Sequence, residues 1–135
     1  MKPRINIITL AVKNLKASTS FYEHGLKLPK MEFEGDISFF SLNGSWLSLY
    51  QWDLLAKDIS VEASGSGFRG ITLSHNVENE HQVIEILEQA KSAGAKIIKQ
   101  AQKTDWGGFS GYFADLDAHL WEVAYNPFFW PVPKD

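Results

Sequence analysis

The residue in this sequence best suited to do chemistry is a lone acid in an apolar run. Glu122 interrupts the sequence LWEVAY near the C-terminus, after a predicted turn over residues 115–119. A carboxylate in a half-buried strand can remove a proton from a substrate or accept a hydrogen bond from a bound N–H or O–H group. His119 precedes it by three residues, and that spacing in a strand puts two side chains on opposite faces. We therefore predict that Glu122 acts without His119, which we interpret as a turn residue that hydrogen-bonds backbone groups.

Other residue types that often carry out catalysis are poorly placed for it. The chain has no cysteine, which excludes a thiolate nucleophile, a disulfide and a thiolate metal site. No serine lies in a G-x-S-x-G sequence, so a hydrolytic triad is not supported. His24 falls near the end of a predicted helix and His81 in the first turn of another, where we expect structural or solvated roles.

The composition indicates one globular domain and excludes several classes of partner. The 135 residues suffice for a single core, and 44% of them are hydrophobic. The net charge of −3 comes with no basic block, which argues against nucleic-acid binding. No apolar run is long enough to span a membrane, and the N-terminus is interpreted as a strand and not a signal peptide, so we expect a cytoplasmic protein. Five Trp and nine Phe either fill a core or line an apolar pocket.

The first half of the chain is predicted to contain a strand, a helix and three further strands. The predicted strands cover residues 6–12, 30–34, 37–42 and 46–50. Asn14 is the expected N-cap of a helix that runs to about Leu26, with Gly25 suited to its C-terminal end. Asn43-Gly44 is a strong signal for the turn of a hairpin.

The second half repeats this order after a glycine-rich connector. A strand over 70–76 is followed by a helix that Asn79 caps and Gly94 ends, and then by a strand over 95–99 and the hairpin that holds Glu122. ITLAV at 8–12 matches ITLSH at 71–75, an offset of 63 residues. We predict one α+β domain over 1–135, with modules at about 5–52 and 70–127, a connector at 53–69 and a tail at 128–135.

Two sequences connect this doubled module with a known family. They are ITLAVKNLKASTSFYEHGLKL near the start and GYFADLDAHLWEVAYNP near the end. Together with the repeat, they resemble the vicinal oxygen chelate superfamily of glyoxalase I, extradiol dioxygenases, and fosfomycin and bleomycin resistance proteins. The second resembles the family's D-P-D-G-H-x-x-E turn, with Leu116 in place of the proline and Ala118 in place of the glycine. The resemblance implies two paired βαβββ modules whose curved sheets form a cup.

The same resemblance implies where metal-dependent members hold a metal ion. Two ligands come from each module, one near the start of its first strand and one in its last strand. The corresponding positions here are Ile7, Ser48, Gly70 and Glu122. Divalent cations need several imidazole or carboxylate donors, and this set supplies one. We therefore expect no intact metal site and no cofactor, although a divalent metal held by other residues stays an alternative.

If Glu122 faces the cup, strand alternation predicts which residues of the neighbouring strands line the cup and which face the helix. Ile8, Leu10 and Val12 would face the helix, and the residues that alternate with them would line the cup. A loop at residues 105–111 is either a flap that closes over the cup or an aromatic-anchored entry to the hairpin. The predicted ligand-binding residues are Thr9, Trp46, Ser48, Tyr50, Thr72, Trp106 and Glu122.

These observations favour a protein that binds a small aromatic or conjugated molecule without the family's metal. One alternative is a lyase, isomerase or dioxygenase-type enzyme of the same superfamily, metal-free with Glu122 as general base or dependent on a divalent metal. A second alternative is a structural or partner-binding dimer. We expect a homodimer in each case, because exposed sheet edges and exposed aromatic side chains in the tail favour association with a second copy.

Overall fold

Each half of the chain forms a β-sheet with a helix packed against one face. The computed structural model describes residues 1–130. Its contacts divide the chain into two compact units, Met1–Gly67 and one that begins at Phe68. The predicted α+β class with two sheet modules is confirmed. Among the described residues, no helix has the length and apolar character needed to cross a membrane.

The first unit contains a three-stranded sheet in the order β1-β3-β2, with β1 parallel and β2 antiparallel to β3. Its elements are β1 (Ile7–Val12), α1 (Leu15–Ser20), a π-helical turn (Phe21–Gly25), β2 (Ile37–Ser41), β3 (Trp46–Gln51) and α2 (Trp52–Asp58). The hairpin predicted at Asn43-Gly44 joins β2 to β3.

The first helix begins where predicted but ends differently. The side chain of Asn14 accepts a hydrogen bond from the backbone N–H of Ala17 and so caps α1. The helix widens at its end, where the N–H of Leu26 donates to the carbonyl of Phe21. The left-handed residue that follows is Lys27, with φ of 63°, and not Gly25. The extra residue in the π-helical turn carries the helical backbone past the glycine.

A strand predicted at residues 30–34 is reduced to one bridge between Lys30 and Phe40. The N–H of Met31 donates to Phe39, and the N–H of Ser41 donates to Pro29. Pro29 has no N–H with which to extend this ladder.

The face of the first sheet that α1 covers is the apolar one, as alternation predicted. Thr19 on α1 and Ser38 on β2 share a hydroxyl hydrogen bond of 2.8 Å. The rings of Tyr22 and Phe40 lie 6.0 Å apart. The buried apolar side chains of this face are Leu10, Val12, Tyr22, Phe40, Leu47 and Leu49.

The second unit contains a four-stranded sheet in the order β4-β7-β6-β5, with β4 parallel to β7. Its elements are β4 (Leu73–Val77), α3 (Glu80–Ser92), β5 (Lys96–Lys103), β6 (Phe109–Ala114) and β7 (Leu120–Tyr125). The predicted tail extends beyond this sheet, and its residues 131–135 lie outside the described part of the chain.

Helix α3 packs closely on one face of this sheet. Asn79 caps it by accepting a hydrogen bond from the N–H of Gln82, as predicted, and the Gln82 side chain accepts one from the N–H of Glu78. A Cβ atom added at Gly111 of β6 would lie 2.6 Å from Cδ1 of Leu87. Glycine therefore permits the close approach of helix and sheet.

The turn between β6 and β7 is held by a buried acid. Asp115 accepts hydrogen bonds from the N–H groups of Asp117 and His119 through the same carboxylate oxygen. Ala118 has φ of 64°, in the left-handed region that favours glycine. The turn therefore closes with alanine in the left-handed position, at a cost in backbone strain.

We expect Ala118→Gly to stabilise the protein by up to about 1 kcal/mol. Relief of the left-handed alanine, worth about 1–2 kcal/mol, exceeds the entropy that glycine adds to the unfolded chain. The measurement is the urea unfolding midpoint. The matched control is Ala93→Gly, since Ala93 has φ of −80° and glycine should destabilise there. An unfolding midpoint of Ala118→Gly below that of the wild type would show that the backbone at Ala118 is not strained.

Candidate functional site

Three polar side chains form a row across three adjacent strands of the second unit. The register pairs Glu122 of β7 with Ser74 of β4 on one side and with Tyr112 of β6 on the other. Paired residues share a face, so all three lie on the side opposite α3. The Ser74 hydroxyl donates a hydrogen bond of 3.1 Å to Oε2 of Glu122. We call Ser74, Tyr112 and Glu122 the polar row.

Tyr112 is the second hydroxyl that holds the carboxylate. Burial raises the pKa of Tyr112 above its ordinary value of 10.0, and the charge of Glu122 and a hydrogen bond to it raise the pKa further. The phenol therefore stays protonated at neutral pH and donates to Glu122. Within residues 1–130, none of the ion pairs includes Glu122. The polar row thus presents a carboxylate that two neutral hydroxyl groups orient.

The first unit brings together two of its predicted ligand-binding residues. The hydroxyl oxygens of Thr9 and Ser48 lie 2.5 Å apart, on the sheet face opposite α1. Ser48 is fully buried, and Thr9 supplies a hydrogen-bond partner for its hydroxyl group. Tyr50 lies two residues further along β3 on the same face and is half-buried.

Trp46 begins an aromatic line on this face. Its ring lies 5.9 Å from that of Phe39, and Phe39 lies 5.1 Å from Phe33, both in edge-to-face geometry. Trp46 is 38% exposed. A depression of about 460 Å³ beside it is lined by Asn6, Ile7, Leu42, Gly44, Ser45 and Trp46. A flat apolar molecule has stacking surface here.

Thr72 does not lie where the sequence repeat predicted. β4 begins only at Leu73, and Thr72 is exposed before it. Gly70, with φ of 74°, interrupts the extended backbone that the strand would need. Thr9 pairs with Ser48 in the first unit, whereas the residue that pairs with Glu122 in the second unit is Ser74 and not Thr72.

Trp106 lies in a closed turn before β6. The N–H of Gly108 donates to the hydroxyl of Thr104, and the N–H of Thr104 donates to the carbonyl of Gly108. The Trp106 indole covers Gly108 so closely that an added Cβ would lie 1.9 Å from it. This turn matches the aromatic-anchored hairpin entry, one of the two interpretations offered for the loop.

His119 lies in the turn before β7, as predicted, and not in the strand that holds Glu122. Its Nδ1 lies 3.1 Å from a guanidinium nitrogen of Arg69, and Arg69 also donates to the carbonyl of Asp117. Since arginine only donates, Nδ1 of His119 is the acceptor. The histidine therefore helps to hold the turn. His24 lies beside Glu23, and His81 beside Glu85 on the surface of α3.

The residues at the four implied ligand positions do not fit a metal ion. Ile7 and Gly70 carry no donor side chain, and the hydroxyl of Ser48 is buried in its bond to Thr9. Within residues 1–130, no three His, Cys, Asp or Glu side chains cluster in a metal-binding arrangement. The predicted loss of the family's metal site stays a prediction that metal analysis can test.

Tyr112 was missed in the sequence, although a signal for it exists. It stands three residues before Asp115, and Glu122 stands three residues after His119. In an antiparallel hairpin closed by Asp115 and His119, those positions are directly opposite. Applying the predicted turn to both of its strands would have placed the phenol beside the carboxylate.

Comparisons of the sequence and of the structure with known proteins both identify relatives of this chain. Residues 4–123 match the model of the Glyoxalase/Bleomycin resistance protein/Dioxygenase superfamily. A metallothiol transferase FosB of Shouchella clausii is 30% identical over 120 residues, which are 88% of this chain and 77% of that protein. A fosfomycin resistance protein FosX of Listeria monocytogenes is 28% identical over 123 residues, 86% of this chain and 84% of that protein. The crystal structure of a glyoxalase-related enzyme from Fulvimarina pelagi superposes with a TM-score of 0.87 at 33% identity, over 98% of this chain and 94% of that one.

The raised pKa of Tyr112 has a consequence at alkaline pH. The stability that this group contributes is fully present below pH 10.0 and is lost as the pH rises through its higher folded pKa. We expect the difference in tyrosinate absorbance between the wild type and Tyr112→Phe to show a pKa above 10.0. Glu122→Gln should move the pKa back toward that value, whereas Glu88→Gln on the exposed side of α3 should not. An ordinary pKa in the wild type would show that Glu122 does not hold the phenol.

Proposed function

The chain belongs to the Glyoxalase/Bleomycin resistance protein/Dioxygenase superfamily, and we propose that it binds a small aromatic or conjugated organic molecule without the metal of that family. The observation that carries this proposal is the polar row. Ser74 and Tyr112 hold the carboxylate of Glu122 at a half-buried position where it can accept hydrogen bonds from a ligand. A carboxylate whose orientation is fixed by neighbouring groups is typical of the few polar groups that orient a ligand in small-molecule sites.

The aromatic line of the first unit supports the same proposal. Phe33, Phe39 and Trp46 offer flat apolar surface that loses little conformational entropy on binding. The depression beside Trp46 lies within the size range of ligand sites. Within the first unit, Trp46 and Tyr50 offer contact surface to an aromatic molecule, and the hydrogen bond between Thr9 and Ser48 joins the strands that carry them.

A second candidate is an enzyme, which the names of the relatives favour. The matched proteins are named as a metallothiol transferase and a fosfomycin resistance protein. In this chain, the part that fits such chemistry is Glu122 as a general base, with Tyr112 as a neutral hydrogen-bond donor beside it. The homodimer and the cytoplasmic location remain predictions.

We expect aromatic ligands from a diverse screen to change the tryptophan fluorescence of the protein. The change should shrink in Trp46→Phe, because Trp46 is on the face opposite α1. Trp121→Phe is the matched control, because Trp121 stacks on Phe113 on the side that α3 covers, and it should leave the ligand-induced change intact. Glu122→Gln should weaken binding by about tenfold, the typical loss of one charge-assisted hydrogen bond.

Two further measurements separate the candidates. If added Zn²⁺ or Ni²⁺ survives dialysis at one ion per chain and is lost in Glu122→Gln, the metal-free proposal is wrong and the metal-dependent enzyme is favoured. If fosfomycin is consumed by the protein without added metal and not by Glu122→Gln, the general-base candidate replaces simple binding. A folded protein that responds to no ligand in the screen would leave the structural dimer as the function.

A further inference from the structure

The carboxylate of Glu122 has hydrogen-bonding capacity that its neighbours do not use. Two carboxylate oxygens together accept about four hydrogen bonds. Ser74 donates one and Tyr112 donates another. Both donors are neutral, so the negative charge of Glu122 is oriented but not compensated.

This charge is partly shielded from solvent. Glu122 and its neighbour Tyr112 are both half-buried in the sheet, and the Tyr112 hydroxyl hydrogen-bonds the same carboxylate. Electrostatic interactions in such surroundings are stronger than in bulk water, and an uncompensated charge there is costly. A group that brings a positive charge to Glu122 would therefore bind with more than the energy of a neutral hydrogen bond.

The basic side chains that the sheet register places beside the polar row do not supply that charge. Lys99 of β5 pairs with Tyr112, so it lies two strands away from Glu122, and it forms no ion pair with the carboxylate. His75 of β4 pairs with Val123 and so lies on the opposite face, toward α3. Within residues 1–130, the partners of Glu122 are hydroxyl groups alone.

We propose that the polar row recognises a protonated amine, with the ligand's N–H groups donating to the unused positions of the Glu122 carboxylate. This assignment rests on the proposed small-molecule function and names the chemical class of the ligand. The charge supplies affinity, and the N–H donors supply direction. A quaternary ammonium ion carries the charge but no donor, and an alcohol carries a donor but no charge, so both should bind more weakly.

The test compares four compounds that share one aromatic ring. Benzylamine, benzyltrimethylammonium, benzyl alcohol and phenylacetate are titrated into the full chain, and binding is followed by NMR shifts of the backbone amides. We expect benzylamine to bind about tenfold or more tightly than the other three. Glu122→Gln should remove that preference, because it weakens the binding of benzylamine much more than the binding of benzyl alcohol.

Two control variants make the result specific to the polar row. Glu88→Gln makes the same chemical change on an exposed position of α3 and should keep the preference for benzylamine. Tyr112→Phe removes a neutral donor of the polar row and leaves the charge, so the preference should fall less than in Glu122→Gln. The NMR spectrum of each variant confirms its fold before the titration.

Each contrary outcome has its own meaning. Benzyl alcohol or phenylacetate binding as tightly as benzylamine would show that the ligand class is wrong and leave the proposed small-molecule function standing. Equal binding of benzylamine to Glu122→Gln would also overturn the assignment. If none of the four compounds binds, the amine is not the recognised group, and the fluorescence screen decides the proposed function separately.

Discussion

The register of the four-stranded sheet is the constraint on which the candidate site depends. It pairs Glu122 with Ser74 across a parallel ladder and with Tyr112 across an antiparallel one. A slip of one residue in β7 would move the carboxylate to the face that α3 covers, where apolar side chains leave it no partner. The turn closed by Asp115 fixes that register. The buried carboxylate of Asp115 and the left-handed residue Ala118 therefore help to position Glu122 through the turn.

Two sheets of related topology carry different chemistry on the faces opposite their helices. In the first unit, the central position of the last strand holds Ser48, and its hydroxyl is satisfied by Thr9. In the second unit, the equivalent position holds Glu122, which keeps a negative charge between Ser74 and Tyr112. The superfamily fold explains the symmetry of these positions, and the residues that occupy them explain why the family's metal chemistry does not follow from the fold.

Local signals in the sequence predicted much of this fold, and tertiary geometry decided the rest. The caps at Asn14 and Asn79 and the alternation of the strands depend on neighbouring residues, so the sequence alone predicted them. The π-helical turn before Lys27 depends on how the helix packs, which no local pattern reports. Thr72 was misplaced because a sequence offset does not determine the register of a parallel pair, and Tyr112 was missed because only one strand of the hairpin was considered.

A double-mutant cycle on the free energy of unfolding tests the polar row most directly. Tyr112→Phe, Glu122→Gln and the double variant are compared with the wild type in urea at neutral pH. If the phenol donates to the carboxylate, the two substitutions should be coupled by about 1 kcal/mol, because the amide in Glu122→Gln accepts a weaker hydrogen bond than the charged group, whose hydrogen bonds are worth about 1.5–3 kcal/mol. Effects that add to within about 0.3 kcal/mol would mean that the two side chains do not interact, and would contradict the account of how Glu122 is held.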